Sequence, residues 1–335
     1  MRQTTLLLAS MTLAVLLSCT TAVLMAAQSV AQPATVTLVG AGDIAECSQG
    51  NNAKATAALL ASIPGTVLAL GDNAYPDGTP RQYANCYDNH RFSDGSVFDA
   101  ARTSWWGMYK ARTMPVLGNH EYHSSKVAQP YFDYFRAVNG FKDPPAPVPN
   151  TPANPGLTPG KGYYSYNRGS WHIVALNSNC NKVGGCERTS TQGKWLQNNL
   201  AKATNKQCTL AYFHHPLFST GSNVTNPNVK PLWQILYNHG AEIILNGHAH
   251  RYERFAPLTP AGKKDFQNGI RQFVAGTGGA PGGSEIYDDQ APGVRVVETG
   301  TSGVLKLDLH AGSYSWEFVP IEGQTFTDSG KGSCH

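Results

Sequence analysis

Apolar residues fall along this chain in short runs of four to six, and several of the runs give way, directly or through a glycine, to an aspartate, an asparagine or a histidine. Runs of that length suit buried strands and are too short to display a helical period. They predict strands at residues 35–39, 66–70, 114–117, 171–176, 208–213 and 242–245. Segments with helix-like spacing lie between or after them, at 53–62, 130–138, 191–203 and 229–238. Strands separated by crossover segments are the pattern of an α/β sheet. The C-terminal third adds strand-like runs at 271–275, 303–309 and 313–319, the last two joined by a turn at 310–312. The proline-rich stretch 144–159 and the glycine-rich stretch 276–303 read as surface loops.

The first thirty-one residues follow a different pattern. Arg2 precedes an apolar run at 6–17, a polar break at 18–21 and a second apolar patch at 22–27, and Ser29 and Ala31 place small residues at the −3 and −1 positions of a cleavage after Ala31. This is the organisation of an export signal peptide over residues 1–31. The polar break argues against an uncleaved anchor, because a spanning helix wants about twenty nearly uninterrupted apolar residues. The expectation is therefore a secreted or periplasmic protein with no transmembrane span in the mature chain. The alternative is a protein tethered by a lipid on Cys19, since Leu16-Leu17-Ser18-Cys19 resembles a bacterial lipobox. No linker-like shift divides residues 32–335, which read as a single catalytic domain.

Composition narrows the class further. Only 14% of residues are charged, and 34 glycines and 21 prolines make the chain rich in turns, which disfavours disorder and coiled coil. The net charge of +4 arises from 26 basic and 22 acidic residues without a basic run, so no nucleic-acid partner is expected. Without Cys19 the cysteines form an even set of six, Cys47, Cys86, Cys180, Cys186, Cys208 and Cys334. An exported chain can oxidise them, and fifteen connectivities are open. Cys180 and Cys186 are close enough to bridge a small loop, and Cys334 is placed to tie down the C-terminus.

Five strand candidates lead into metal-ligand residues: Asp43, Asp72, the pair Asn119 and His120, His214, and the pair His248 and His250. Each has an ordinary explanation alone, as a turn, a helix cap or a polar loop. Together they point elsewhere, because the carboxyl ends of strands in an open α/β sheet form one crevice in which distant residues converge. Carboxylate, imidazole and amide oxygen suit iron, zinc or manganese, and the absence of cysteine among them argues against a structural zinc site. A central carboxylate can bridge two ions, the arrangement used for in-line displacement at phosphorus.

The five clusters stand as Gly42-Asp43-Ile44-Ala45, Gly71-Asp72-Asn73-Ala74-Tyr75, Gly118-Asn119-His120-Glu121, Ala211-Tyr212-Phe213-His214 and Gly247-His248-Ala249-His250. In this order they resemble the motifs of the calcineurin-like dinuclear metallophosphatases, and among them the small, single-domain purple acid phosphatases, with Tyr75 the most discriminating position. Ala45 and Ala211 depart from the usual glycine and valine at positions that are not ligands. The resemblance implies a four-layer sandwich of α/β (α+β) class, with two mixed β-sheets flanked by helices. It also implies a ferric ion held by Asp43, Asp72, Tyr75 and His250, and a second ion, Fe(II), Zn or Mn, held by Asp72 as bridge with Asn119, His214 and His248. His120 would be the general acid. Outside the motifs, His123, three residues beyond His120, is a candidate to line the pocket, and His215, between His214 and Pro216, is a candidate to touch substrate or only to pack.

The function so implied is an exported acid phosphatase cleaving a small phosphate ester. A hydroxide generated by the two ions would attack phosphorus while His120 protonates the leaving alkoxide, with an acidic optimum. A phosphodiesterase or nucleotidase on the same metal core, and a secreted binding protein without catalysis, are the alternatives. Trp105 and Trp106 are expected to pack rather than to bind substrate.

Overall fold

The computed structural model describes residues 35–47, 51–88, 105–136, 150–151, 154–155, 158–203, 208–221, 224–281 and 291–335, together with Met1. The leader, its cleavage site, Cys19 and most of the loop 144–159 lie outside the described residues. All the elements below belong to the unit Pro33–His335.

Two mixed sheets form the body. The first has β1 (Val36–Ala41), β2 (Thr66–Ala69) and β3 (Thr113–Pro115) in parallel, extended from β1 by an antiparallel meander of β13 (Gly303–His310), β14 (Ser313–Pro320) and β15 (Ser329–Ser333). A small hairpin pairs β4 (Asn150–Thr151) with β5 (Asn154–Pro155). The second sheet runs in the order β12-β10-β11-β9-β8-β7-β6, made of β6 (Tyr164–Arg168), β7 (Trp171–Ala175), β8 (Cys208–Tyr212), β9 (Ile243–Asn246), β10 (Tyr252–Leu258), β11 (Ile270–Ala275) and β12 (Val294–Glu298). Its centre, β7, β8, β9 and β11, is parallel.

Strand alternation decides what each face meets, because successive side chains point to opposite sides. Ile173, Leu210, Tyr212, Ile243, Leu245 and Phe273 belong to the same buried cluster as Leu38, Leu68, Leu305 and Leu307 of the first sheet, so the sheets pack face to face. The intervening residues Val174, Ala211, Phe213 and Ile244 point the other way, onto Leu196, Leu232, Trp233 and Leu236. Those belong to α4 (Thr191–Lys202), capped by Ser190, and α5 (Lys230–Asn238). On the far side, α1 (Ala53–Ser62) buries Ala53, Ala57 and Leu60 beside the first sheet. The short α2 (Pro80–Gln82) is closed by a Thr79/Gln82 capping box, and α3 (Gln129–Arg136) buries Tyr131, Phe132 and Phe135. The result is helix, sheet, sheet, helix, the four layers expected.

The main strands and helices fall where the pattern places them, with ends displaced by no more than two residues. The corrections concern short elements, or elements whose apolar residues are interrupted by charged ones. The stretch 276–303 is not all loop, since β12 lies in it, and the hairpin β4–β5 interrupts the proline-rich loop. β10 escapes the reading because it carries Glu253 and Arg254, which fold in with their partners: Glu253 accepts hydrogen bonds from Ser219 and Thr220, and Arg254 forms two hydrogen bonds, of 2.7 and 2.9 Å, to Asp328. β15 has no apolar side chain and exists through its pairing with β14. Trp105 and Trp106 are buried, 2% and 0% exposed, as packing residues.

Three disulfides close the fold: Cys47–Cys86, Cys180–Cys186 and Cys208–Cys334. The last spans 126 residues and fastens the C-terminal strand to the start of β8, as the position of Cys334 suggests. The double variant Cys208→Ser/Cys334→Ser is expected to lose about 2–4 kcal/mol of stability by freeing the unfolded chain. A thermal melt within 1–2 °C of the parent, on the scale of about 2–4 °C per kcal/mol, would contradict that.

Candidate metal centre

The loops that follow β1, β2, β3, β8 and β9 meet at one end of the two sheets. Backbone hydrogen bonds tie them together: the Asp43 amide donates to the Gly71 carbonyl (3.0 Å), Gly247 to His214 (3.0 Å) and Gly42 to Ala275 of the other sheet (2.9 Å). Asp43, Asp72 and His248 adopt φ values of 59°, 49° and 71°. Side chains rarely accept this left-handed conformation, which costs about 1–3 kcal/mol each and persists where the surroundings enforce it, most often at functional sites. Gly118 is required here because a Cβ would stand 2.0 Å from Asp72 Oδ1, and Gly71, at φ +89°, because a Cβ would stand 2.6 Å from His214 Nδ1.

Side-chain atoms gather in two groups. In one, Tyr75 Oη lies 2.9 Å from Asp43 Oδ1, 3.2 Å from Asp72 Oδ2 and 3.0 Å from His250 Nε2, which is itself 3.2 Å from Asp43 Oδ1. In the other, His214 Nε2 lies 3.1 Å from Asp72 Oδ2, 3.2 Å from Asn119 Oδ1 and 3.2 Å from His248 Nδ1. Asp72 Oδ2 belongs to both. The seven residues expected as ligands are thus brought together, in two groups that share Asp72.

What stands behind them fixes their direction. His214 and His250 turn Nδ1 to the carbonyls of Leu70 (2.9 Å) and Pro281 (2.7 Å), leaving Nε2 for the centre. Each aspartate spends its second oxygen on a backbone amide, Asp43 Oδ2 accepting from His248 and Asp72 Oδ1 from His120. Beneath the centre lies Glu121, wholly buried, whose carboxylate accepts from the amides of Asp72 (3.0 Å), Asn73 (2.8 Å) and Gly118 (2.6 Å) and from the Tyr83 hydroxyl (3.0 Å). It joins the second and third ligand loops through one side chain. Sequence reasoning quoted Glu121 in a motif without giving it a role; the available signal was an acidic residue directly after Asn119-His120.

Electrostatics follow from burial among unlike charges. Burial raises Asp43 and Asp72, yet the neighbouring imidazoles, His250 for Asp43 and His214 for Asp72, outweigh it and hold both carboxyls below their usual range. Burial likewise lowers His214 and His250, but Asp72 and Asp43 respectively push them up to about 9. His248 is lowered to about 4 by burial and by His214. Burial, reinforced by Asp43 and Asp72, lifts the Tyr75 phenol well above its ordinary value.

These groups fit a pair of cations. The Tyr75 hydroxyl has one proton to share among two carboxylate oxygens and a ring nitrogen, and His214 Nε2 has at most one for an aspartate, an amide oxygen and another imidazole. Such crowding of acceptors around buried carboxylates is relieved by positive ions, oxygen- and nitrogen-binding ones by this donor set. One donor atom from each of Asp43, Asp72 and His214 lies within 4.8 Å of the others, and the same holds for His214, His215 and His248.

His120 sits at the rim, its side chain 26% exposed, with Nε2 at 3.8 Å from Asp72 Oδ2, Nδ1 on the Pro76 carbonyl and its ring 4.4 Å from that of Tyr75. His123 stacks behind it at 4.5 Å. His215 is hydrogen-bonded through Nδ1 to Ser178 Oγ (2.8 Å) and lies 4.5 Å from the His248 ring. His123, His215 and Asn119 all line a cavity of about 390 Å³ that opens from the centre.

Comparison with known proteins agrees with this geometry. Residues 37–252 match the calcineurin-like phosphoesterase family. Purple acid phosphatase 15 of Arabidopsis thaliana is 25% identical over 211 residues, 58% of this chain and 37% of the relative. Purple acid phosphatase 21 of the same plant is 31% identical over 122 residues, 35% of this chain and 26% of the relative. The chain thus matches well under half the length of these curated relatives. Among solved structures, a purple acid phosphatase from yellow lupin (Lupinus luteus) seeds superposes with a TM-score of 0.64 at 17% identity, over 90% of this chain and 54% of that one. GAP50, the anchor in the inner membrane complex of Plasmodium, gives 0.59 at 13% identity over 90% and 89%. With five motif loops converging on one centre and a family match over most of the described fold, the chain belongs to the calcineurin-like phosphoesterases.

Proposed function

We propose that this protein is an exported, metal-dependent phosphoester hydrolase of the acid phosphatase type, acting on phosphomonoesters. The observation that carries the reading is the pair of ligand groups sharing Asp72 Oδ2. The fold alone would not suffice, since an anchor protein shares it; the seven ligand side chains and His120 are all present and convergent here.

Asp43, Asp72, Tyr75 and His250 would hold one ion, and Asp72, Asn119, His214 and His248 the other, with iron, zinc or manganese suited to the donors. Two such ions supply the Lewis acidity that activates water and neutralises charge on the phosphoryl oxygens. The chain itself supplies position and a proton. The Pro76 carbonyl fixes one nitrogen of His120, so that the other faces the oxygen shared by the two groups. His120 Nε2 there is placed to pass a proton to a leaving alkoxide. His215 and Asn119 border the space in which the leaving group would lie.

Metal analysis and a visible spectrum of protein purified without chelator, together with rates on mono- and bis-nitrophenyl phosphate, test the proposal. Two ions per chain and faster monoester cleavage are expected, with a tyrosinate charge-transfer colour that Tyr75→Phe removes if the ion beside it is ferric. A faster diester would move the reading to a phosphodiesterase; metal-loaded protein inert toward both would end it.

A further inference from the structure

The cavity beside the metal centre has an uneven chemistry. Its inner end is formed by Asn119, Ser178 and His215, while Asn181, Lys182 and Asn228 form its exposed wall. No aspartate or glutamate is among the described residues lining it, and Lys182 is the one lysine or arginine there. The amides can donate to or accept from any hydroxyl, so they discriminate little among polar leaving groups. A lone ammonium does discriminate, because it favours an anion and has no neighbouring carboxylate in the cavity to neutralise it.

Lys182 is also held in place. It closes the short turn Cys180–Lys182, its amide donating to the Asn179 carbonyl (2.8 Å), and the Cys180–Cys186 disulfide braces the turn from behind. The ammonium lies 5.8 Å from the centre of the Tyr122 ring, over the cavity floor. Cys180 Sγ stands 3.6 Å from the Asn228 carbonyl, so the two segments of the exposed wall, one bearing Lys182 and the other Asn228, touch.

We propose that Lys182 is a specificity-determining residue, selecting phosphoesters whose leaving group carries a second negative charge away from the scissile phosphate. This rests on the hydrolase reading for its setting. The charge is solvent-exposed, so its effect on preference is modest and weakens with salt.

6-Phosphogluconate and sorbitol 6-phosphate test it, because they share a six-carbon polyol phosphate and differ only in a terminal carboxylate against a hydroxymethyl group. Two measurements are made on the metal-loaded protein: kcat/KM, and, where no hydrolysis is seen, calorimetric affinity, which reports preference without turnover. The parent is expected to favour the carboxylate-bearing ester by about threefold to fivefold at low salt. Lys182→Gln removes the preference, Lys182→Glu inverts it and Lys182→Arg retains it, each read as the ratio between the two esters. A parent ratio near one, a ratio that survives in Lys182→Gln, or failure of both esters to bind overturns the assignment. A lysine-dependent binding preference without hydrolysis of any ester leaves the assignment standing and removes the hydrolase reading instead.

Discussion

Replacing Asp72 by asparagine is expected to abolish phosphoester hydrolysis, by about ten-thousandfold or more, and to empty the centre of metal, while leaving the fold intact. Loss of a partner behind a metal ligand typically costs about 10–100-fold in metal affinity or activity. Asp72 stands in front of such partners: its Oδ2 is the one atom common to both ligand groups, so the change weakens both at once and removes the negative charge that would bridge two cations. The fold has less to lose. Asparagine keeps an oxygen to accept from the His120 amide, as Asp72 Oδ1 does at 2.9 Å, and it tolerates the left-handed φ of 49° better than most residues. The measurements are metal content per chain, the rate on nitrophenyl phosphate and circular dichroism. Asp133→Asn, a change in an exposed carboxylate on α3, serves as the control. Full metal occupancy with a rate within tenfold of the parent would refute the assignment of Asp72 as the shared ligand.

Most of this centre was legible in the sequence because its logic is local. A buried parallel strand ends, a glycine lets the backbone turn, and a ligand follows; Gly71-Asp72 and Gly118-Asn119 announce this in two letters. What the sequence withheld is what long-range packing supplies. Glu121 stands in the third motif without a role until its carboxylate is seen to accept three backbone amides from two different loops. Lys182 reads as one charge among 26 until the disulfide-braced turn places it over the cavity. The fold divides in the same way. β8 and β9 declare themselves through apolar runs, whereas β10 hides Glu253 and Arg254 whose partners, Thr220 and Asp328, come from other segments. β15 owes its existence to a neighbour's edge, which no local pattern can express.

The metal-free protein is expected to lose several kcal/mol of stability between pH 6.5 and pH 9, a limb that metal loading should reduce. The sign follows from which state holds the protons. His214 and His250 sit at about 9 when folded, above their ordinary 6.5, because each pairs with a buried carboxylate. Their contribution is therefore complete below pH 6.5 and disappears as pH rises through about 9, where Asp43 and Asp72 are left as buried charges without cationic partners. A displacement of that size corresponds to about 3 kcal/mol for each imidazole. On the acid side the balance reverses. His248, held down to about 4, stays neutral in the folded protein while the unfolded chain takes up a proton below pH 6.5. The depressed carboxyls Asp43 and Asp72 add their loss only below their ordinary 3.8. Metal binding changes the alkaline limb, because His214, His250 and Tyr75 must give up protons to become ligands, so affinity and the stability it confers grow with pH. Calorimetric melts from pH 5 to 9, in chelator and in excess metal, measure both curves. A metal-free melting temperature that holds or rises between pH 6.5 and 9 would show that the two imidazoles are not paired with Asp43 and Asp72 in solution, and the electrostatic account of the centre would fall with it.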